Sequence, residues 1–373
     1  MAGNQERVPA EIGVGMLGYA FMGRAHSHAY AAIARMTRPP SLVPRLVSIA
    51  GRDGRSVSLA ARQLGYERWT TDWRDVVADD DVGLFDNGGP NDVHAEPTIA
   101  AAEAGRHVVC EKPLGRTADE SHEIWQRVAA TGVQHMCAFN YRFVPAVRLA
   151  REMVEAGELG EIRHFRARYL QDWGDTEAEV WRFDRAIAGS GALGDLAAHA
   201  VDLARYLVGE ITTVGGFVRT FVPGREVDDA VEATVEFEQG AVGTLEATRV
   251  ALGRRNAFQW EVNGTEGSLA FDTERLNELE VFRADTGRAR GFRRVLVTEG
   301  SHPFMEHWWP PGHIVGWGDV FVHELHHMLG SIAGVHTVAP HGATFEDGYR
   351  AAEVCDTILR SSESGRREAV TYR

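Results

Sequence analysis

The sequence is nearly without lysine. Of its 39 Lys and Arg residues, 38 are arginine, and the one lysine is Lys112. Arginine keeps its proton in a protein, whereas a buried lysine can shift its pKa and act as a compact donor or proton carrier. A lone lysine is therefore a candidate for chemistry that arginine cannot do; the bland alternative is coding bias. Cysteine is also scarce. Cys110, Cys137 and Cys355 have neither paired nor metal-type spacing, which points to a reduced, cytoplasmic compartment. No apolar run is long enough to cross a bilayer, and the first ten residues hold no signal-type apolar core. Net positive charge is absent too. A formal charge of −14 argues against nucleic acid, whose affinity comes mainly from Lys and Arg on phosphates. It leaves room for a cofactor phosphate held by one Arg or by backbone N–H groups.

What is present reads as two domains of an α/β protein. Residues 1–138 alternate short apolar runs with helix patterns, the mark of βαβ units on a parallel sheet. The expected strands are Ile12–Leu17, Leu46–Ala50, Val82–Phe85, His107–Cys110 and Val133–Ala138. Helix patterns lie near His26–Met36, Arg55–Leu64, Asp72–Val77, Val93–Ala104 and Ala118–Ala130. Residues 139–373 change pattern. Alternating segments at Ala230–Phe237, Ala241–Thr248, Phe258–Val262 and Leu279–Phe282 predict a largely antiparallel open sheet, with helices at Ala146–Glu155 and Gly194–Leu207. The fold expected is an N-terminal Rossmann domain followed by an α/β substrate-binding and oligomerisation domain.

Two glycine patterns compete at the start. Gly13-Val-Gly15-Met-Leu-Gly18 fits G-x-G-x-x-G literally, but its first two glycines fall inside the strand. The motif works only between strand and helix, where glycines admit a pyrophosphate to backbone N–H groups. Gly18-Tyr19-Ala20-Phe21-Met22-Gly23 sits there, with Ala20 replacing the middle glycine. Gly18, Ala20, Phe21 and Met22 are thus expected to hold the dinucleotide at a helix N-terminus. After the second strand, the place of a ribose-binding acid is taken by Gly51, followed by Arg52. That pair suits a 2′-phosphate, so the cofactor is NAD or NADP, with NADP favoured. Asp53 reaches the ribose only if the turn is one step longer.

Several short motifs occur in a fixed order: the Gly18–Gly23 turn, Pro90-Asn91-x-x-His94, Glu111-Lys112-Pro113, and Asp195-x-x-x-His199. Together they resemble the Gfo/Idh/MocA oxidoreductase family over nearly the whole chain. The stretches around Ala138–Arg142, Tyr169–Trp173 and Ala188–Asp195 look most like its levoglucosan dehydrogenase branch, which oxidises a pyranose ring hydroxyl at C3. The resemblance implies that Pro90, Asn91, His94, Glu111 and Lys112 face the cofactor, and that the second sheet packs into homodimers or homotetramers. Two departures stand out. Asn87-Gly88-Gly89-Pro90-Asn91 replaces the usual Ala-Thr-Pro-Asn, and the branch carries an acid near the place of Gly51, so its use of NAD does not carry over.

The implied chemistry is hydride transfer from a secondary alcohol of a sugar, glycoside or inositol. Asp195 and His199 are four apart on a helix pattern and share a face. His199 has the pKa range of a general base for the hydroxyl proton. Asp195 would bind a hydroxyl or polarise the network, and Lys112 would orient the reacting oxygen beside the nicotinamide. Sugar sites join polar groups to aromatic faces. Asn140, Tyr141, Gln171, Asp172, Trp173, Trp181 and Arg182 can supply both, although each has a plain packing or surface alternative. The segment from Glu306 to His313 either caps the pocket or meets another subunit.

Other classes remain open at this stage. An NAD-dependent glycosidase or a non-catalytic sugar or dinucleotide sensor fits the same fold. His323-Glu324-Leu325-His326-His327 matches the H-E-x-x-H motif of zinc hydrolases. The apolar stripe Phe321, Leu325, Met328, Leu329, Ile332 places His323 and His327 on the opposite, polar face, as a surface cluster. A third protein ligand is also wanting, since Ala333 stands where one continuation of the motif needs His. No metal is expected.

Overall fold

The computed structural model describes residues 10–37, 39–176, 180–284 and 287–373. Six strands form a first sheet: β1 (Glu11–Leu17), β2 (Val43–Ala50), β3 (Arg68–Thr70), β4 (Leu84–Asn87), β5 (His107–Glu111) and β6 (His135–Ala138). Their order is β3-β2-β1-β4-β5-β6, and every pairing is parallel. Helices α1 (Phe21–Met36), α2 (Gly54–Leu64), α3 (Trp73–Ala78), α4 (Ala95–Glu103) and α5 (Ala118–Ala129) make the crossovers. The order reverses between β1 and β4, which opens a crevice at the carboxyl ends of the strands, where such sheets bind dinucleotides. Gly13 and Gly15 lie inside β1, as the sequence reading required. A Cβ at Gly13 would sit 1.8 Å from the Asp81 carbonyl oxygen, and one at Gly15 would sit 2.4 Å from Val76. These glycines serve packing and leave the turn to Gly18.

The chain then enters α6 (Pro145–Glu155), β7 (Ile162–Leu170), α7 (Arg185–Ala188) and α8 (Ala198–Leu207). Next come β8 (Ile211–Arg219), β9 (Ala230–Phe237), β10 (Val242–Thr248), β11 (Ala257–Gly264), β12 (Gly267–Asp272), β13 (Glu278–Arg283) and β14 (Arg293–Leu296). Helices α9 (Trp317–Ile332) and α10 (Phe345–Ser364) and the short β15 (Glu368–Ala369) complete it. The second sheet runs β14-β13-β12-β11-β7-β10-β9-β8-β15. It is antiparallel except where β10 pairs with β7. Burial alternates along β9, so one face is packed and the other open. The last two long helices return to the first sheet, α9 packing on α1 and α10 on α5. No helix among the described residues is long and apolar enough to cross a membrane.

One expectation fails in α9. His323 and His327 are buried, not on a polar face. The apolar stripe is real, but the opposite side is covered by Phe143, remote in sequence, and by the segments flanking the helix at Trp308 and Val338. His323 donates from Nδ1 to the Phe143 carbonyl at 2.9 Å and accepts from the Trp308 indole at 2.6 Å. His327 donates from Nε2 to the Val338 carbonyl at 2.8 Å. Both ring nitrogens of His323 are therefore spent, and the hydrolase reading loses its first ligand.

Candidate active site

The turn after β1 needs its glycines. Gly18 has φ +101°, and a Cβ there would come within 2.7 Å of the Gly88 carbonyl oxygen. A Cβ at Gly23 would lie 2.1 Å from the Gly18 carbonyl oxygen. Helix α1 starts at Phe21 with Ala20 as its N-cap, no side-chain cap and no acid in its first turn. Its leading N–H groups are left without partners at the positive end of the helix, a ready anion site. Two turns meeting this closely, with free N–H groups, fit a dinucleotide pyrophosphate. The Asn87–Asn91 departure is also accounted for. Asn87 is buried and donates from Nδ2 to Thr98 Oγ1 and the Val93 carbonyl, while its Oδ1 accepts the Gly89 N–H at 3.2 Å.

A cavity of about 570 Å³ opens beside this turn. Phe21, Met22, Gly89, Asn91, Glu111 and Lys112 line its cofactor side. Asn140, Tyr141, Gln171, Trp173, Trp181, Arg182, Asp195 and His199 line the side built on the second sheet and α8. All of these but Gly89 were predicted from sequence, and residues from Phe21 to His199 thus share one space. His94 does not line it. It is buried with its ring nitrogens 2.8 and 3.1 Å from the Pro113 and Gly89 carbonyl oxygens, tying together two turns behind the cavity. Asp172 is turned away as well, and accepts from Arg255 at 3.1 Å. Gly51 is covered by the Tyr19 ring, Arg52 is exposed, and Asp53 caps α2 by accepting the Ser56 N–H at 2.8 Å. In the segment Glu306–His313, Trp308 packs on α9, and none of its residues lines the cavity.

Lys112 follows a strand end, and its peptide bond to Pro113 is cis. Its ammonium donates to both the Asp195 carbonyl oxygen (2.9 Å) and Asp195 Oδ1 (3.0 Å). Asp195 lies in a π-helical turn, Leu193–Ala197, that leads into α8. Such turns recur at functional sites. The approach to it is held by Asp228, whose carboxylate accepts the Gly191 and Leu193 N–H groups. Only glycine fits at 191, since a Cβ would meet the Asp228 carbonyl oxygen at 1.8 Å. The second Asp195 oxygen accepts from Arg249 at 2.9 Å. Burial alone would raise the Asp195 carboxyl, but Lys112, Arg249 and Arg182 outweigh it and hold it well below the usual carboxylate range.

His199 is buried against Phe139 and Tyr141, and its Nδ1 has no hydrogen-bond partner. Burial first, and the Lys112 charge second, hold its imidazole well below 6.5. It is therefore neutral at ordinary pH and able to accept a proton. The far wall is one hydrogen-bonded chain. Tyr141 and Tyr169 share a bond of 2.8 Å, Tyr169 and Gln171 both donate to Asn256 Oδ1 at 2.7 Å, and Trp173 donates to Gln171.

Sequence reasoning missed Arg249, Tyr169, Asn256 and Trp317, which stacks on the predicted Phe21. Arg249 is fully buried, with its guanidinium 4.9 Å over the Trp173 ring. A strand-end position after β10 was the available signal, and it is weak in a chain with so many arginines.

Comparison with known proteins gives the chain a family. Residues 12–139 match the model of an oxidoreductase family with an NAD-binding Rossmann fold, and residues 147–270 match the GFO/IDH/MocA C-terminal domain. A levoglucosan dehydrogenase of Pseudarthrobacter phenanthrenivorans is 43% identical, over 94% of this chain and 96% of its own. The scyllo-inositol 2-dehydrogenase (NAD⁺) of Bacillus subtilis is 32% identical over 74% of this chain and 76% of its own. A solved levoglucosan dehydrogenase in complex with NADH and levoglucosan is 43% identical and superposes with a TM-score of 0.94, covering 97% of this chain and 100% of that one.

Proposed function

The chain belongs to the Gfo/Idh/MocA oxidoreductase family, and on that premise we propose that it moves a hydride between a nicotinamide dinucleotide and a ring hydroxyl carbon of a pyranose-type sugar, at C3 as the resemblance to the levoglucosan dehydrogenase branch implies. The observation that carries the reading is the Lys112–Asp195–Arg249 ion cluster beside a neutral His199 whose Nδ1 has no partner, in one cavity with Phe21 and Met22 of the Gly18–Gly23 turn.

When bound, the oxidised nicotinamide supplies the hydride acceptor. The N-terminus of α1 and the Gly18, Gly88 and Gly89 turns would hold the pyrophosphate, with Asn91, Glu111 and Lys112 towards the nicotinamide end. The protein side of the chemistry follows from charge. Asp195, kept anionic, holds the Lys112 ammonium at a fixed place. Lys112 then donates to the substrate oxygen and favours its developing negative charge. His199 accepts the hydroxyl proton, which it can do because it is neutral beforehand. Gln171, Trp173, Trp181 and Arg182 give the polar edges and aromatic faces that grip a sugar ring.

The finer points belong to the same proposal: units 1–138 for the cofactor and 139–373 for the sugar, a cytoplasmic site of action, and a homodimer or homotetramer. For the dinucleotide we read NADP. Gly51 offers no carboxylate, the Asp53 carboxylate is occupied by Ser56, and Arg52 is free to meet a 2′-phosphate. NADH in the solved relatives marks what this pair would change.

The test is a spectrophotometric screen of pyranoses, anhydrosugars, inositols and glycosides with NAD⁺ and NADP⁺. Reduction of dinucleotide with a pyranose supports the reading, and silence with every ring polyol would sink it. Release of a free aglycone without net dinucleotide reduction would make it a glycosidase. Arg52→Ala should weaken NADP⁺ about tenfold, the size of one charge-assisted contact, and leave NAD⁺ within twofold.

A further inference from the structure

Behind the cavity lies a group of buried ionisable side chains that, Glu111 apart, the chemistry above does not use. His26, on α1, is fully buried and bridges two strands. Its Nδ1 donates to the Asp86 carboxylate on β4 at 2.9 and 3.0 Å. Its Nε2 donates to Glu111 Oε1 on β5 at 3.1 Å. Tyr30 donates to Asp86 at 2.8 Å. The other Glu111 oxygen accepts the main-chain N–H of Lys112 at 3.0 Å. One end of this chain of bonds is sealed in the core, and the other is the wall of the active site.

An imidazole can donate from both nitrogens only as the imidazolium. Burial alone would depress His26, but Asp86 and Glu111 outweigh it and raise it well above its ordinary value. The remaining neighbours supply no competing charge. Glu324 on α9 is buried without a partner and pushed far up, so it is a neutral acid. Tyr30 and Tyr66 are raised by burial, as are the Cys110 and Cys137 thiols. Asp202 is spent on Arg142.

We propose that His26, by bridging Asp86 and Glu111, is a positioning residue for Lys112: it pins Glu111 against the Lys112 main-chain N–H and so fixes how the lysine leaves β5. The proposal rests on Lys112 being the catalytic lysine. Loss of the His26 proton turns a ring lone pair towards a carboxylate. One of the two bonds then breaks, and the lysine loses its anchor. Turnover falls on the alkaline side where His26 titrates. Asp86→Asn removes the charge that holds this proton, from a site sealed off from the cavity.

The sequence provides a direct probe. Protein labelled with [¹⁵N]lysine has a single lysine amide signal, the N–H that Glu111 accepts. That signal and kcat are followed against pH for the wild type and for Asp86→Asn. The expected result is a titration of the amide and an alkaline limb of kcat that share one midpoint. In Asp86→Asn both should move down by at least one pH unit, with sugar KM and dinucleotide Kd within threefold. An Asp86→Asn midpoint equal to the wild type overturns the proposal. If Asp86→Asn does not fold, Glu111→Gln decides. Its amide group can donate to neutral His26 while its carbonyl accepts from Lys112, so the Lys112 signal should stop titrating; a wild-type titration overturns the proposal. A titrating amide in a protein that oxidises no sugar would retain the pinning and remove the functional reading.

Discussion

Asp195 and His199 on one helical segment, and His323 and His327 on another, are alike in spacing and in the burial of their histidines. Their imidazoles are alike in acidity too. Burial brings His323 down to about 4 and His327 to about 3, and His199 is lowered well below its ordinary value. The difference lies in what the ring nitrogens face. His323 and His327 are tied to main-chain carbonyls and an indole, whereas His199 lines a cavity with Nδ1 unpartnered and the Lys112 charge acting on the ring. A depressed histidine pKa marks burial; an unfilled hydrogen bond next to charge marks a site.

The comparison breaks most visibly in kinetics. His199→Ala and Lys112→Ala should each lower kcat by about 10²–10⁴-fold, the usual worth of a positioned proton acceptor or charge donor. Dinucleotide Kd, read by nicotinamide fluorescence, should stay within threefold. His327→Gln keeps a donor for the Val338 carbonyl and should hold kcat within twofold. Near-normal kcat in His199→Ala would make the two pairs equivalent.

Asp195→Asn sharpens the comparison through stability. It leaves Lys112 and Arg249 facing each other without their shared counter-charge, at a cost of about 3–5 kcal/mol. The sign in pH follows from the lowered carboxyl. The stabilisation is fully present above the unfolded carboxylate pKa of about 4 and is lost as pH falls towards the depressed folded value. The Tm gap between wild type and Asp195→Asn should therefore be large at pH 7 and narrow towards pH 2, as calorimetry can measure. A gap that does not depend on pH would mean the ion cluster contributes little.

The same contrast explains what the sequence made legible. The first sheet was readable because β1, β2, β5 and β6 are apolar runs punctuated by turns, and β3 escaped because three residues carry no period. In the second sheet β7 was missed although exposed Arg166 and Arg168 alternate with buried Phe165, Ala167 and Tyr169; exposed Arg163 falls out of that period, where the pairing with β11 shifts, and shortens the pattern. Lys112, Asp195 and His199 stood out through rarity and spacing. Arg249 and Asn256 did not, because their roles come from β7, β10 and β11 meeting in space. The α9 histidines were misplaced for the mirror reason: their face is covered by Phe143, remote in sequence, and by the irregular segments flanking the helix, at Trp308 and Val338, whose paths carry no periodic signal.

Glu324 offers the smallest and most discriminating test, because it sits between His323 and His327 in the helix that does no chemistry. Both of its oxygens are buried without a partner, and burial pushes its carboxyl well above its ordinary value. A buried polar group left unsatisfied costs about 1–3 kcal/mol, so Glu324→Met, similar in length and apolar, should stabilise the fold by about that amount. The sign in pH is opposite to that of Asp195. The folded state keeps the Glu324 proton that the unfolded chain releases above a pH of about 4, so the penalty grows as pH rises. The gain in Tm from Glu324→Met should thus be larger at pH 8 than at pH 4, with kcat unchanged. A loss of stability at both values would mean that Glu324 is held by a bond and that the second pair is not idle.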